Sequence, residues 1–79
     1  MINVISSNLR SIGYDSQSAT LVVEFHSGAM YQYYGVPLAI YKGLMAARSK
    51  GNFLDSIIRH GPYRYQRLST YNELNSNYA

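Results

Sequence analysis

The chain has 79 residues, a formal charge of +3, no cysteine and two histidines, His26 and His60. This length predicts one domain, close to the smallest size at which a single core suffices, and the lack of cysteine excludes disulfides and thiolate metal sites. Two histidines and four acidic residues are too few to suggest a metal centre or an acid–base pair, so we expect no metal, no cofactor and no enzymatic activity.

The first half of the chain is predicted to form strands. Residues 9–14 favour a strand although their apolar positions do not alternate perfectly, and the composition of residues 15–18 indicates a turn. Residues 19–25 are rich in β-branched side chains and make the clearest strand. A short loop at Gly28 leads into a strand over residues 29–34, and so short a loop forces antiparallel pairing.

The second half of the chain is predicted to be mainly helical. Pro37 suits the first position of a helix, and apolar residues follow it at helical spacing. Gly51 suits the end of this helix, and the apolar residues among 53–58 mark one face of a second short helix. Rings and polar groups alternate over residues 63–68, which is typical of a short fourth strand or of an extended arm.

Together these elements predict an α+β fold. We expect an antiparallel three-stranded β-meander, followed by two short helices packed on one face and a possible short fourth strand near residues 63–68. The domain is expected to span residues 1–68, with a polar C-terminal extension over residues 69–79. An exposed sheet edge in so small a domain invites self-association, which makes a homodimer plausible.

No part of the sequence suggests a membrane partner. No window approaches the roughly 20 apolar residues of a membrane-spanning helix. The first residues, Met1 to Ile5, lack the basic start and the long apolar run of a signal peptide. We therefore expect a cytoplasmic protein.

The positive charge is concentrated in residues 42–67. This segment holds six basic residues and one acid, whereas residues 1–41 hold one basic residue and two acids. Such an excess favours an anionic partner, although a solvated helical surface with few acids gives the same pattern. The candidates for binding nucleic acid or another anion are Arg48, Lys50, Arg59, Arg64 and Arg67.

Tyrosine is unusually frequent, with nine residues and no tryptophan. An exposed ring on a sheet can stack on a nucleobase, at about 1–3 kcal/mol per base. Core packing is the alternative: because the helices cover one sheet face, either Tyr31 and Tyr33 or Tyr34 should be buried. The candidates for stacking are Tyr34, Tyr63 and Tyr65.

A set of short motifs lies in a fixed order along residues 4–68. In chain order they are Ser6-Ser7-Asn8-Leu9-Arg10-Ser11-Ile12-Gly13-Tyr14-Asp15, Tyr31-Gln32-Tyr33, Val36-Pro37, Tyr41, Ala47-x-Ser49-x-Gly51 and Phe53. This ordered set resembles the KTSC domain family. The family takes its name from a small domain at the C-terminus of some lysyl-tRNA synthetases, and it also occurs as a stand-alone protein in bacteria and phages. Its function is unestablished and RNA binding has been suggested, so the resemblance implies a nucleic-acid hypothesis and no catalytic residue.

Two kinds of function therefore remain open. The first is a small non-catalytic module that binds RNA or another nucleic acid through the basic helical half and exposed tyrosines. The second is an interaction module, of the kind found among phage accessory or counter-defence proteins, that binds a protein through its exposed rings and sheet edge. In a variant of the second, an oligomer holds a small nucleotide at a subunit interface.

Overall fold

The computed structural model describes residues 1–68, which form one antiparallel sheet and a short helical layer. The strands are β1 (Ile2–Asn3), β2 (Leu9–Asp15), β3 (Thr20–Phe25), β4 (Met30–Tyr33) and β5 (Tyr65–Leu68). The helices are α1 (Leu38–Ala46), α2 (Lys50–Phe53) and α3 (Leu54–Arg59), the last of which is π-helical and continues directly from α2.

The sheet extends the predicted three-stranded meander to five strands in the order β1-β2-β3-β4-β5. The short strand expected within residues 63–68 is present as β5, which pairs with β4. Strand β1 was not predicted, and it pairs with β2 over only two residues. The α+β class is confirmed. The sheet has one strand more on each side, β1 and β5, than the expected three-stranded meander.

An irregularity in β2 explains its imperfect alternation. Leu9 pairs with Phe25 and Ser11 pairs with Glu24, so the register shifts between these two pairs. The extra residue turns Leu9 onto the same face as Ile12. Both side chains are fully buried in the core.

Two turns place the strands and the first helix. Gly28 has a φ of +95° in the β3–β4 hairpin, a conformation that glycine adopts without steric cost. Gly35 has a φ of +68° at the corner before α1. Pro37 was predicted to be the first helical residue, but its ψ of 151° makes it the N-cap, one residue before α1.

The main core lies between one sheet face and the helices. The helices contribute Leu44, Leu54 and Ile58, each no more than 1% exposed. The sheet contributes the buried side chains Leu9, Ile12, Leu21, Val23 and Tyr33. Helical cover on this face therefore decides which tyrosines reach the solvent.

The opposite sheet face carries a smaller apolar cluster of Val22, Met30 and Leu68, with Met1 packed against it. None of the described helices is long and apolar enough to cross a bilayer. The predicted polar extension, residues 69–79, lies outside the described residues.

Candidate nucleic-acid interface

An aromatic row crosses the helix-facing side of β4 and β5. Tyr33 and Tyr65 are partners in the register, and their ring centroids lie 5.9 Å apart. The Tyr31 ring lies 6.1 Å from that of Tyr65 and meets Phe25 edge-on at 5.9 Å. Tyr33 is 3% exposed and Tyr65 is 63% exposed. The row therefore runs from the core to an open ring at its outer end.

The C-terminal end of α3 brings polar groups beside this row. The π-helical hydrogen bond from the His60 backbone N–H to the Asp55 carbonyl oxygen is 3.3 Å long. Arg59 Nη1 and His60 Nε2 lie 3.3 Å and 3.6 Å from the same carboxylate oxygen, Oδ1 of Asp55. A short π-helical turn thus gathers a guanidinium, an imidazole and a carboxylate at one place.

The Arg59 and His60 side chains and the rings enclose a cleft of about 160 Å³, which we call the inner cleft; Asp55 contacts both of these side chains but does not line the cleft. Its lining consists of Tyr31, Tyr33, Arg59, His60 and Tyr65. Aromatic walls combined with hydrogen-bond donors suit a flat, polar-edged ligand.

The charges of α3 also act on the buried ring of this row. Burial raises the pKa of the Tyr33 hydroxyl above its usual value of 10.0. The Arg59 guanidinium opposes this shift of the pKa, and Tyr31, Tyr65 and Asp55 add to it. Tyr33 therefore stays neutral at neutral pH and offers the cleft no negative charge.

A wider depression of about 520 Å³, which we call the outer cleft, lies on the other side of Tyr65. Its lining includes Tyr34, Arg64 and Gln66 besides Tyr65. The Tyr34 hydroxyl donates to Gln66 Oε1 at 3.0 Å, and its backbone N–H donates to the Arg64 carbonyl oxygen at 2.8 Å. Tyr65 lines both clefts.

The predicted basic residues do not form one surface. Arg59 lines the inner cleft and Arg64 lines the outer cleft. Arg67 pairs with Tyr31 in the β4–β5 register and lines neither. Arg48 lies between α1 and α2, and Lys50, the first residue of α2, donates from Nζ to the Ala47 carbonyl oxygen at 3.0 Å. These last two line neither cleft.

The predicted stacking residues also differ in exposure. Tyr65 is 63% exposed and Tyr34 is 37% exposed, so both rings reach the solvent. Tyr63 is half-buried and packs against the main core. Of the two arrangements left open by the sequence, the structure buries Tyr33, partly buries Tyr31 and exposes Tyr34.

The predicted site residues did not include Tyr31, Tyr33 or His60, which also line the inner cleft. The signal for Tyr31 was the β4–β5 register, which the sequence could not fix because β5 was left open as a strand or an arm. The presence of His60 at the predicted end of a helix was attributed to that position alone. Its place next to Arg59 in the sequence was the signal that could have added it to the site. Among residues 1–68, no group of three or more histidine, aspartate or glutamate side chains is arranged to hold a metal ion.

Known proteins similar to this chain were found by sequence and by structure. The family model of the KTSC domain matches residues 5–68. An uncharacterized protein of Stutzerimonas stutzeri is 43% identical over 63 residues, which cover 80% of this chain and 89% of that protein. The crystal structure of a KTSC domain protein from Yersinia pestis matches with a TM-score of 0.78 and 38% identity, over 84% of this chain and 92% of that one.

A third relative is much longer than this chain. Lysine–tRNA ligase of Trichormus variabilis is 38% identical over 63 residues, which are 80% of this chain and 11% of the ligase. The similarity therefore concerns one small part of that enzyme.

Proposed function

The chain belongs to the KTSC domain family, and we propose that it is a small module that binds single-stranded RNA. The observation that carries this proposal is the exposed side chain of Tyr65, a residue that lines both the cleft with Arg59 and the cleft with Arg64. A stacking surface flanked by cationic groups is the arrangement by which proteins hold unpaired bases and their phosphates.

The clefts favour single strands over a duplex. Bases in a duplex are already stacked on each other and present only their edges, whereas unpaired bases can be splayed out onto aromatic rings. A cleft of about 160 Å³ beside Tyr65 admits one such base at most. Segments similar to this chain also occur in lysine–tRNA ligase, an enzyme named for an RNA, which supports RNA as the partner.

The modest charge sets the expected salt dependence. If Arg64 and Arg67 contact phosphates, with or without one further basic group, two or three phosphates are neutralised, and the slope of log K against log salt is about −1.4 to −2.1. Raising the salt concentration from 50 to 200 mM then weakens binding about 7- to 18-fold. Such a module binds weakly when alone and gains affinity when it is joined to a second RNA-binding unit.

Fluorescence anisotropy with a labelled ten-nucleotide RNA of mixed sequence at 50 mM salt tests the proposal. Tyr65→Ala removes the stacking ring, so we expect a loss of about 5- to 150-fold in affinity, equivalent to 1–3 kcal/mol. Arg64→Gln weakens binding, and Arg48→Gln is its matched control, because it removes the same charge at a site that lines neither cleft. Absence of binding at low salt, or equal losses in both glutamine variants, would refute the proposal.

A protein-binding role is the second candidate that we propose. Strand β5 lies at one edge of the described sheet, and its first three residues are exposed, so a strand from a partner or from a second copy could pair there. Light scattering after size exclusion would detect a homodimer. Capture of one stoichiometric protein that survives nuclease treatment would favour this role over RNA binding.

A further inference from the structure

Arg59 differs from the other two arginines near Tyr65 because it has a carboxylate partner. Its Nη1 lies 3.3 Å from Asp55 Oδ1, and both side chains are about half exposed, at 54% and 53%. Among the described residues, neither Arg64 nor Arg67 takes part in an ion pair. A carboxylate beside Arg59 offsets its charge and repels an incoming phosphate, so Arg64 and Arg67 are the better phosphate ligands.

The Asp55–Arg59 pair instead suits a ligand that has both donors and acceptors. A carboxylate has about four lone-pair sites, and the recorded contacts of Asp55 with Arg59 and His60 both use Oδ1. A guanidinium has five N–H donors in a planar fork, which exceeds what one carboxylate oxygen takes up. Arg59 lines the inner cleft, and Asp55 lies just outside it, in contact with the lining side chains of Arg59 and His60. The pair can therefore donate hydrogen bonds from within the cleft and accept them at its rim.

Guanine is the base that best matches this combination. Its O6 and N7 atoms are acceptors, for which arginine is the commonest specific partner. Its N1–H and N2–H₂ groups are adjacent donors that a carboxylate can accept together. Adenine has a lone pair at N1 and no amino group at C2, so it would face the carboxylate with an acceptor.

The size of the inner cleft limits the ligand to one base. Its volume of about 160 Å³ is below the roughly 300–1,000 Å³ of sites for drug-sized ligands. Tyr65 offers its ring as the stacking surface, and Tyr31 lies beside it at 6.1 Å. A purine covers more of these rings than a pyrimidine does.

We propose that the inner cleft recognises a single guanine base in single-stranded RNA, with Asp55 and Arg59 reading its edge and Tyr65 stacking on its ring. This inference rests on the proposed function and adds base specificity to it. Arg64 and Arg67 then hold the neighbouring phosphates and contribute nothing to the choice of base.

The test measures the affinities of four nine-nucleotide RNAs by fluorescence anisotropy at 50 mM salt. Eight positions are uridine in every RNA, and the central position is guanosine, inosine, adenosine or uridine. A good bidentate contact discriminates by 1–3 kcal/mol, so guanosine should bind at least about 5-fold more tightly than adenosine. Inosine lacks the N2 amino group and should fall between them. This comparison uses the unaltered chain and does not depend on the folding of a variant.

Asp55→Asn supplies the second arm of the test. It keeps the shape of the side chain, and it should abolish the preference for guanosine while leaving all-uridine RNA bound as well as before or better, because a negative charge is removed. Arg64→Gln is the control, and it should weaken all four RNAs by the same factor and keep their order.

The outcomes separate the inference from the function on which it rests. Equal affinities for the four RNAs, or a preference for guanosine that persists in Asp55→Asn, overturn the guanine site and leave RNA binding intact. Absence of binding to every RNA overturns both.

Discussion

Ile57 and Ile58 are neighbours in α3 with opposite environments, and they provide a matched test of how this helix is held on the sheet. Ile58 is 0% exposed and belongs to the main core, whereas Ile57 is 43% exposed. Replacing a fully buried isoleucine by alanine costs about 2–5 kcal/mol, because apolar contacts are lost and a cavity remains. We therefore expect Ile58→Ala to lower the free energy of unfolding by about 3 kcal/mol.

This loss is large for so small a protein. At about 0.05–0.15 kcal/mol per residue, a domain of 79 residues has a stability of about 4–12 kcal/mol. A change of about 3 kcal/mol should lower Tm by about 12–24 °C at 4–8 °C per kcal/mol. Urea unfolding and thermal melts followed by far-UV circular dichroism measure both quantities. Ile57→Ala makes the same chemical change and should cost less than about 1 kcal/mol; equal losses in the two variants would refute the burial of this helix face.

Two further predictions concern the end of α3 and the aromatic row. Gly61→Ala should destabilise the fold strongly, because a Cβ there would overlap the Ile57 carbonyl oxygen. A Cβ at Gly51 would lie 3.3 Å from the side-chain amide of Asn8, so Gly51→Ala should lower the free energy of unfolding less in the same urea assay. The pKa of the Tyr33 hydroxyl is raised in the folded state, so the neutral hydroxyl stabilises the fold fully below about pH 9. This stabilisation is lost as the pH rises from the pKa of Tyr33 in the unfolded chain to its higher pKa in the folded chain. Alkaline titration at 295 nm should show that Tyr33→Phe removes a late-titrating group; an unchanged late phase would contradict the assignment.

The main strands and the start of the first helix could be predicted because local pattern and tertiary structure agree there. The end of that helix could not: Gly51 was expected to end it, but α1 ends at Ala46 and Gly51 lies inside α2. The strand predicted over residues 19–25 is found as Thr20–Phe25, and the strand predicted over 29–34 is found as Met30–Tyr33. Strand β1 was missed because two residues carry no periodicity, and it exists only by pairing with β2. The π-helical geometry of α3 was also missed, because apolar spacing alone does not distinguish turns that differ by one residue.

The candidate site was only partly predictable for a related reason. Charge along a sequence shows how many basic residues a segment has, but it does not show which side of the sheet each one faces. Arg59 ends α3 and lines the inner cleft, Arg64 directly precedes β5 and lines the outer cleft, and Tyr65 lines both. Arg48 and Lys50, just before α2 and at its start, belong to the same basic segment of the sequence, yet neither lines a cleft.

The end of α3 explains why one ring of the aromatic row stays open. Tyr33 is buried beneath the helical layer, and Tyr65, its partner on β5, is not. The helix stops at Arg59, because Gly61 folds back with its N–H on the Ile58 carbonyl oxygen and Pro62 has no N–H to extend the helix. The early stop leaves this ring beside the Arg59 guanidinium, so the same few residues that finish the core also create the surface that we propose for RNA.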